Sequence, residues 1–145
     1  MYKFDLQSLL NHRRYQEEVL QKELSESRKR LVDEQKKLRL IKAKKRECAH
    51  TLQHRQKENG TVSDLILYLR YLDRLAKELD RQQQKVVLAE KQFNQKRNAL
   101  IEIMKKRKML EKLRERGWKA YEQQMLRNDR KLMDEAAAKQ FSTNS

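Results

Sequence analysis

The stretch QKENGTVSD, residues 56–64, is the one place where this chain is suited to turn. It holds one of only two glycines in 145 residues, and the chain contains no proline. Asn59-Gly60 can take the left-handed conformation that ends a helix, and residues 61–64 (TVSD) match a capping box at a helix start. The stretch therefore predicts two helices joined by a turn over about residues 58–62.

Apolar residues recur three and four positions apart on both sides of this turn, in nine of fourteen seam positions before it and eleven of fourteen after it. Two such seams indicate two coiled-coil helices, and a short link makes them antiparallel. The first seam is Leu6, Leu10, Arg13, Glu17, Leu20, Leu24, Ser27, Leu31, Glu34, Leu38, Ile41, Lys45, Cys48 and Leu52. The second is Leu65, Tyr68, Leu72, Leu75, Leu79, Gln82, Val86, Ala89, Phe93, Lys96, Leu100, Ile103, Arg107 and Leu110.

The predicted fold is all-α, a hairpin of two long helices forming one antiparallel two-stranded coiled coil. We expect a single domain over residues 1–145, with helices over about 3–57 and 63–137. Residues 138–145 are expected to be a frayed tail.

The off-centre turn makes the second helix longer, by roughly 20 residues or about 30 Å. Lys3 should lie opposite about Gly117, and beyond that point the heptad register changes. The new apolar stripe is Trp118, Tyr121, Met125 and Leu132. We predict that it serves another molecule, the alternative being fraying with incidental contacts.

A second group of apolar side chains follows the turn without belonging to the seam: Ile66, Leu67, Leu69 and Tyr71. A two-stranded coil cannot bury them all, so part of the group should face outward and mark an interaction site. Tighter packing around the turn is the alternative.

The composition excludes several classes of protein. The formal net charge is +15 and 39% of residues are charged, which predicts acidic partners such as nucleic acid, an anionic membrane or an acidic protein. A single cysteine suits a reducing compartment. The chain start is not a signal peptide and no apolar run can span a bilayer, so a soluble cytoplasmic protein is predicted.

No motif for catalysis or nucleotide binding is present, so we predict neither an enzyme nor a cofactor. His50 and His54 share a helical face near Cys48, but their spacing matches no metal-ligand set. A solvated helix surface is the preferred interpretation, and no metal is predicted.

Two basic concentrations, residues 36–46 and 105–119, are able to contact phosphates. Both are expected to wind around a helix rather than line one face. This favours a solvated surface, or contact with an acidic protein, over nucleic-acid binding.

Four segments together resemble the FliJ family of the flagellar type III export apparatus. They are YKFDLQSLL (2–10), YLRYLDRL (68–75), LEKLRER (110–116) and LMDEAA (132–137). The resemblance implies a non-enzymatic antiparallel coiled coil similar to the stalk subunits of rotary ATPases. It further implies association with the hexameric export ATPase FliI, the cytoplasmic domain of the export gate protein FlhA, and export chaperones. Location would be peripheral, at the cytoplasmic face of the inner membrane.

The resemblance also assigns residues to these partners. The ATPase-facing end would contain Phe4, Leu6, Trp118, Tyr121, Met125 and Leu132. The gate-facing segment would contain Tyr68, Tyr71, Leu72 and Leu75. Three alternatives stay open: the injectisome counterpart of the family, a basic coiled coil that binds nucleic acid, and a structural homodimer whose helix never turns.

Overall fold

Two long helices follow from the near absence of helix-breaking residues. A computed structural model describes residues 1–58 and 60–143 of the chain. Helix α1 covers Gln7–Lys57 (51 residues) and helix α2 covers Val62–Thr143 (82 residues). The predicted helical hairpin with a longer second helix is confirmed, and the unbroken helix of the homodimer alternative is wrong.

The turn uses the capping chemistry that its sequence predicts. The Glu58 and Gly60 amides both donate to the carbonyl of Arg55, at 3.2 and 3.3 Å, and close the last turn of α1. The Thr61 hydroxyl oxygen accepts the Asp64 amide at 3.3 Å, as an N-cap does. The left-handed conformation expected of Asn59-Gly60 is not found at Gly60, and Asn59 lies outside the described residues.

Both helix boundaries differ from the prediction at the ends of the chain. Helix α1 starts at Gln7 rather than near residue 3, because the Gln7 amide donates to the Phe4 carbonyl at 3.0 Å in a preceding turn. Helix α2 continues to Thr143 rather than ending near residue 137, and residues 144 and 145 of the expected frayed tail lie outside the described residues. The run of alanines at 136–138 favours helix, and no glycine or proline interrupts it.

The chain forms two compact units, Met1–Glu18 with Ile101–Ser145, and Val19–Leu100. We call them the terminal unit and the turn unit. In the turn unit the Lys96 ammonium contacts the Glu23 carboxylate at 2.7 Å, and Gln82 contacts Glu34. The residue numbers of the partners on α2 decrease as those on α1 increase. The helices of this unit are therefore antiparallel.

The terminal unit has the same arrangement. Arg107 of α2 contacts the carboxylate of Glu17, and the guanidinium of Arg14 lies 3.4 Å from the carboxylate of Glu111. The order of these partners again shows antiparallel helices.

The predicted seams form the surface through which the helices meet. Every seam residue is buried or half-buried except Leu6, which is 42% exposed because it precedes the first turn of α1. The buried apolar side chains of the turn unit are Cys48, Leu75, Ala89 and Leu100, and those of the terminal unit are Leu10 and Leu110.

One buried seam residue of the turn unit is polar. The Gln82 amide nitrogen donates to the backbone carbonyl of Glu34 at 2.9 Å and also to the Glu34 carboxylate. A buried polar group that finds its hydrogen-bond partner in only one register of two paired helices favours that register over others.

Candidate interaction surfaces

An aromatic cluster closes the helix pair of the terminal unit. The ring of Tyr2 lies 5.8 Å from that of Trp118, edge-on, and 5.7 Å from that of Tyr121. Trp118 and Tyr121 are themselves 6.0 Å apart. Such distances and tilts are those of favourable aromatic pairs. Tyr2 thus anchors the non-helical residues before α1 onto helix α2.

Gly117 makes this contact possible. A β-carbon on Gly117 would overlap the Tyr2 hydroxyl and lie 3.0 Å from the ring carbon that carries it. Tyr2 therefore occupies a notch that only glycine leaves open on α2. After Leu110 the original seam register passes through exposed Arg114 and then reaches Gly117 and Tyr121, both half-buried. The N-terminal residues supply the missing packing partner.

Helix α2 has a fully exposed segment after this cluster. Every residue from Glu122 to Thr143 is exposed. The large apolar side chains in this segment are Met125, Leu126, Leu132, Met133 and Phe141. Of the residues assigned to the ATPase-facing end, Met125 and Leu132 lie here, Trp118 and Tyr121 lie in the aromatic cluster, and Phe4 and Leu6 lie before α1.

Tyr2 is the member of this surface that sequence reasoning missed. The expected pairing of Lys3 with Gly117 was a usable signal, because it places the aromatic side chain of Tyr2 beside the only glycine of α2. Helical periodicity did not reveal it, since Tyr2 lies outside any helix.

A charged cluster holds the next layer of the terminal unit together. Arg107 is shared between the carboxylates of Glu17 and Glu111, and its bonds to Glu111 are 3.0 and 3.1 Å long. The pKa of Arg107 is raised by its hydrogen bonds to Glu111 and Glu17. Burial alone would raise the pKa of Glu111, but hydrogen bonds from Arg107 and Arg14 outweigh burial and lower it.

The four residues assigned to the gate-facing segment lie in the turn unit with unequal exposure. Tyr71 is exposed, Tyr68 and Leu72 are half-buried, and Leu75 is only 2% exposed. The Arg55 guanidinium sits 5.4 Å from the Tyr68 ring centroid, at cation–π distance. Tyr71 is therefore the one member of the four that is freely accessible.

The apolar group that follows the turn faces outward, as part of it was predicted to do. Ile66, Leu67 and Leu69 are exposed, like Tyr71. Leu67 and Tyr71 line a shallow groove together with Asp64. The accessible apolar surface here thus consists mainly of residues that lie off the seam.

The His50 and His54 side chains are exposed, whereas the Cys48 thiol is buried in the seam. His54 contacts Glu58 at 3.3 Å. Within residues 1–58 and 60–143, no group of three or more His, Cys, Asp or Glu is placed to hold a metal ion. No helix in the described part of the chain is long and apolar enough to cross a membrane.

These features define a class of protein: an α-helical hairpin whose helices pair through heptad seams and which carries separate apolar surfaces near its turn and its termini. A family model described as "Flagellar FliJ protein" matches residues 2–145, and the chain belongs to this family. Its role is accordingly in flagellar protein export, within the export apparatus. Comparisons with curated proteins and with solved structures found no match.

Proposed function

We propose that this protein is a non-enzymatic, stalk-like component of the flagellar exporter that binds the export ATPase FliI and the export gate protein FlhA. It would couple the ATPase to the gate and assist the export chaperones. It would act in the cytoplasm, peripherally at the inner membrane. Family membership supports the export role, and the two exposed apolar surfaces support two separate partners.

The observation that carries the proposal is the exposed end of α2. Residues 122–143 are helical and exposed, yet they carry five large apolar side chains. Helices of this kind bury their apolar residues against a partner helix or groove. We assign this segment, together with Trp118, Tyr121 and the preceding residues Phe4 and Leu6, to the export ATPase ring.

The gate contact is assigned to the surface beyond the turn. Tyr71 would make direct contact with FlhA, and its exposed neighbour Leu67 extends the same groove. Tyr68 and Leu72 would contribute their accessible edges. Leu75 would support this surface from the seam, because it is too buried to reach a partner.

The ATPase contact is tested with the double substitution Met125→Gln and Leu132→Gln. Both side chains are exposed, so the fold should persist, and the variant should lose binding to FliI and any stimulation of ring assembly or ATP hydrolysis. The matched control is Gln123→Ala with Gln124→Ala on the same helix. Unchanged FliI binding by the Met125/Leu132 variant would refute the assignment.

The gate contact is tested separately with Leu67→Gln and Tyr71→Ala. This variant should lose binding to the cytoplasmic domain of FlhA while keeping FliI binding. Gln83→Ala, an exposed position on a different face of the same helix, serves as the control. If the Leu67/Tyr71 variant loses FliI binding instead, the two surfaces are assigned to the wrong partners.

A further inference from the structure

Eight cations of α1 in the turn unit lie on one side of the helix. The seam residues of α1 occupy heptad positions a and d. Positions e, b and f are neighbours on one side of the helix, and the residues at these positions between Gln21 and Lys57 form what we call the cationic face. Every residue on this face is exposed. Its cations are Lys22, Arg28, Lys29, Lys36, Arg39, Lys42, Arg46 and Lys57.

No acidic residue lies on this face between residues 21 and 57. The acids of α1 over that span occupy other heptad positions: Glu23, Glu26, Asp33, Glu34 and Glu47. Lys37 lies off the face and contacts Glu34 at 3.8 Å. Basic residues 36–46 do occupy several sides of the helix, as expected, with Lys37, Lys44 and Lys45 off the face, but the acids are segregated and leave one flank purely basic.

The cations of the face have no ion-pair partner among the described residues. Each interhelical ion pair or charged hydrogen bond of this unit uses Glu23, Arg30 or Glu34, at positions outside the face. On the corresponding e and b flank of α2, the acids are Asp73, Asp80 and Glu90, of which Asp73 contacts Lys77 at 3.4 Å. Eight solvated cations are thus left with their charge uncompensated by direct contact.

The second basic segment, residues 105–119, differs from the cationic face because some of its cations form ion pairs. Within residues 105–119, Lys105 contacts Glu102 and Lys119 contacts Glu115, while Arg107 is committed to the charged cluster. Glu111 and Glu115 lie within this span and take part in those contacts, so it is not a purely basic surface like the cationic face of α1.

The shape and chemistry of the face indicate what it meets. Lys22, Lys29 and Lys36 recur at intervals of seven residues, about 10 Å apart, and the whole face extends over roughly 50 Å. Its only large apolar side chain is Val32, and it has no aromatic residue besides the imidazole of His50. Protein interfaces bury aromatic anchors and are depleted in lysine at their centres, which this face does not match.

Nucleic acid is also a poorer match. Single strands need aromatic platforms on which bases stack, and the face has no Phe, Tyr or Trp to provide them. A duplex is straight over about 50 Å, but its phosphate strands wind around its axis, so a line of cations alongside it faces grooves as well as phosphates. A bilayer is planar on this length scale, and its mobile anionic headgroups can gather under regularly spaced lysines.

We propose that the cationic face docks against anionic phospholipid headgroups at a bilayer surface. The contact is electrostatic and superficial, because the face lacks the large apolar side chains that insert among acyl chains. It is a direct lipid contact, independent of binding to FliI or FlhA.

The test measures co-sedimentation of the full chain with vesicles of phosphatidylcholine, alone or mixed with phosphatidylglycerol at roughly one third of the lipid. We expect binding only to the anionic vesicles, declining steeply as sodium chloride is raised, since salt screens exposed charges. The variant Lys29→Gln, Lys36→Gln, Arg39→Gln, Arg46→Gln should bind at least about tenfold more weakly. Circular dichroism verifies that it stays helical.

The matched control removes the same charge from the terminal unit, as Lys106→Gln, Lys108→Gln, Lys112→Gln, Arg116→Gln. Selective loss in the face variant supports the proposal. An equal loss of vesicle binding in both variants would show that net charge alone attracts the protein, and would overturn the proposal. Equal binding of the natural protein to uncharged and anionic vesicles would overturn it as well. If a duplex oligonucleotide binds and only duplex binding is lost in the face variant, the face serves nucleic acid and the lipid proposal is wrong.

Discussion

The hydroxyl of Tyr2 lies where a β-carbon of Gly117 would stand. A residue outside any helix and the only glycine of α2 thus form one packing unit, with the rings of Trp118 and Tyr121 close by. This contact ends the interhelical seam of the terminal unit. It also means that Trp118 and Tyr121 already have an aromatic partner within the chain, whereas every residue from Glu122 to Thr143 is exposed.

Substitution of Gly117 by alanine should have two opposing effects on stability: a gain in helix propensity and a loss of the contact with Tyr2. In a Tyr2→Ala background, Gly117→Ala should stabilise the protein by about 1 kcal/mol, because alanine is the better helix former. In the natural background the gain should be smaller, because the new methyl displaces Tyr2. Urea unfolding of the two single variants and the double variant measures the difference.

An equal effect of Gly117→Ala in both backgrounds would show that Tyr2 does not occupy the notch. Fluorescence of Trp118, the only tryptophan, gives a second readout. Loss of the Tyr2 ring should shift its emission to the red, since more of the indole becomes exposed to water.

The polar pair in the turn unit gives a second prediction. Gln82→Leu should cost about 1–3 kcal/mol, because it removes a donor from the mostly buried carboxylate of Glu34. Adding Glu34→Leu should restore stability, since both polar groups are then gone. Thermal or urea unfolding followed by circular dichroism measures both. A double variant no more stable than Gln82→Leu alone would contradict this account.

The charged cluster of the terminal unit predicts a dependence on pH. The pKa of Glu111 is lowered in the folded protein, so this carboxylate binds protons more weakly there than in the unfolded chain. Its contribution to stability is therefore complete above its unfolded pKa and is lost as pH falls through its folded pKa. Unfolding free energy should decline on acidification in the natural protein, and less so in Glu111→Gln.

Glu102→Gln is the control for that measurement, because Glu102 is exposed and its ion pair is with Lys105 on its own helix. Its acid dependence should match that of the natural protein. If Glu102→Gln and Glu111→Gln behave alike, the hydrogen bonds of Glu111 do not contribute to stability.

Two residues of the gate-facing segment should respond differently to substitution. Leu75→Ala should destabilise the protein by about 2–5 kcal/mol, since it removes a side chain that is 2% exposed. Tyr71→Ala should change stability by no more than about 0.5 kcal/mol, because its side chain is exposed. Urea unfolding measures both effects. A large loss of stability in Tyr71→Ala would show that this side chain serves packing rather than a partner.

The heptad pattern predicted the seams almost completely, because one apolar stripe per helix is enough to specify which side meets a partner helix. The same periodicity also defines the cationic face, because the seam positions fix which residues of α1 share a flank. The ends were predicted less well. Leu6 has heptad spacing but precedes the helix, and residues 138–143 lack a seam yet stay helical.

The sequence by itself therefore determined two helices, their antiparallel pairing and the residues between them, because local propensity and periodicity act over a few residues. Only the tertiary structure decided which exposed candidates are free. In the structure Leu75 is buried and Tyr71 is exposed. Tyr2 packs against Gly117, which is far away along the chain. Such contacts depend on side-chain volume and burial between distant segments, which periodicity along one helix does not encode.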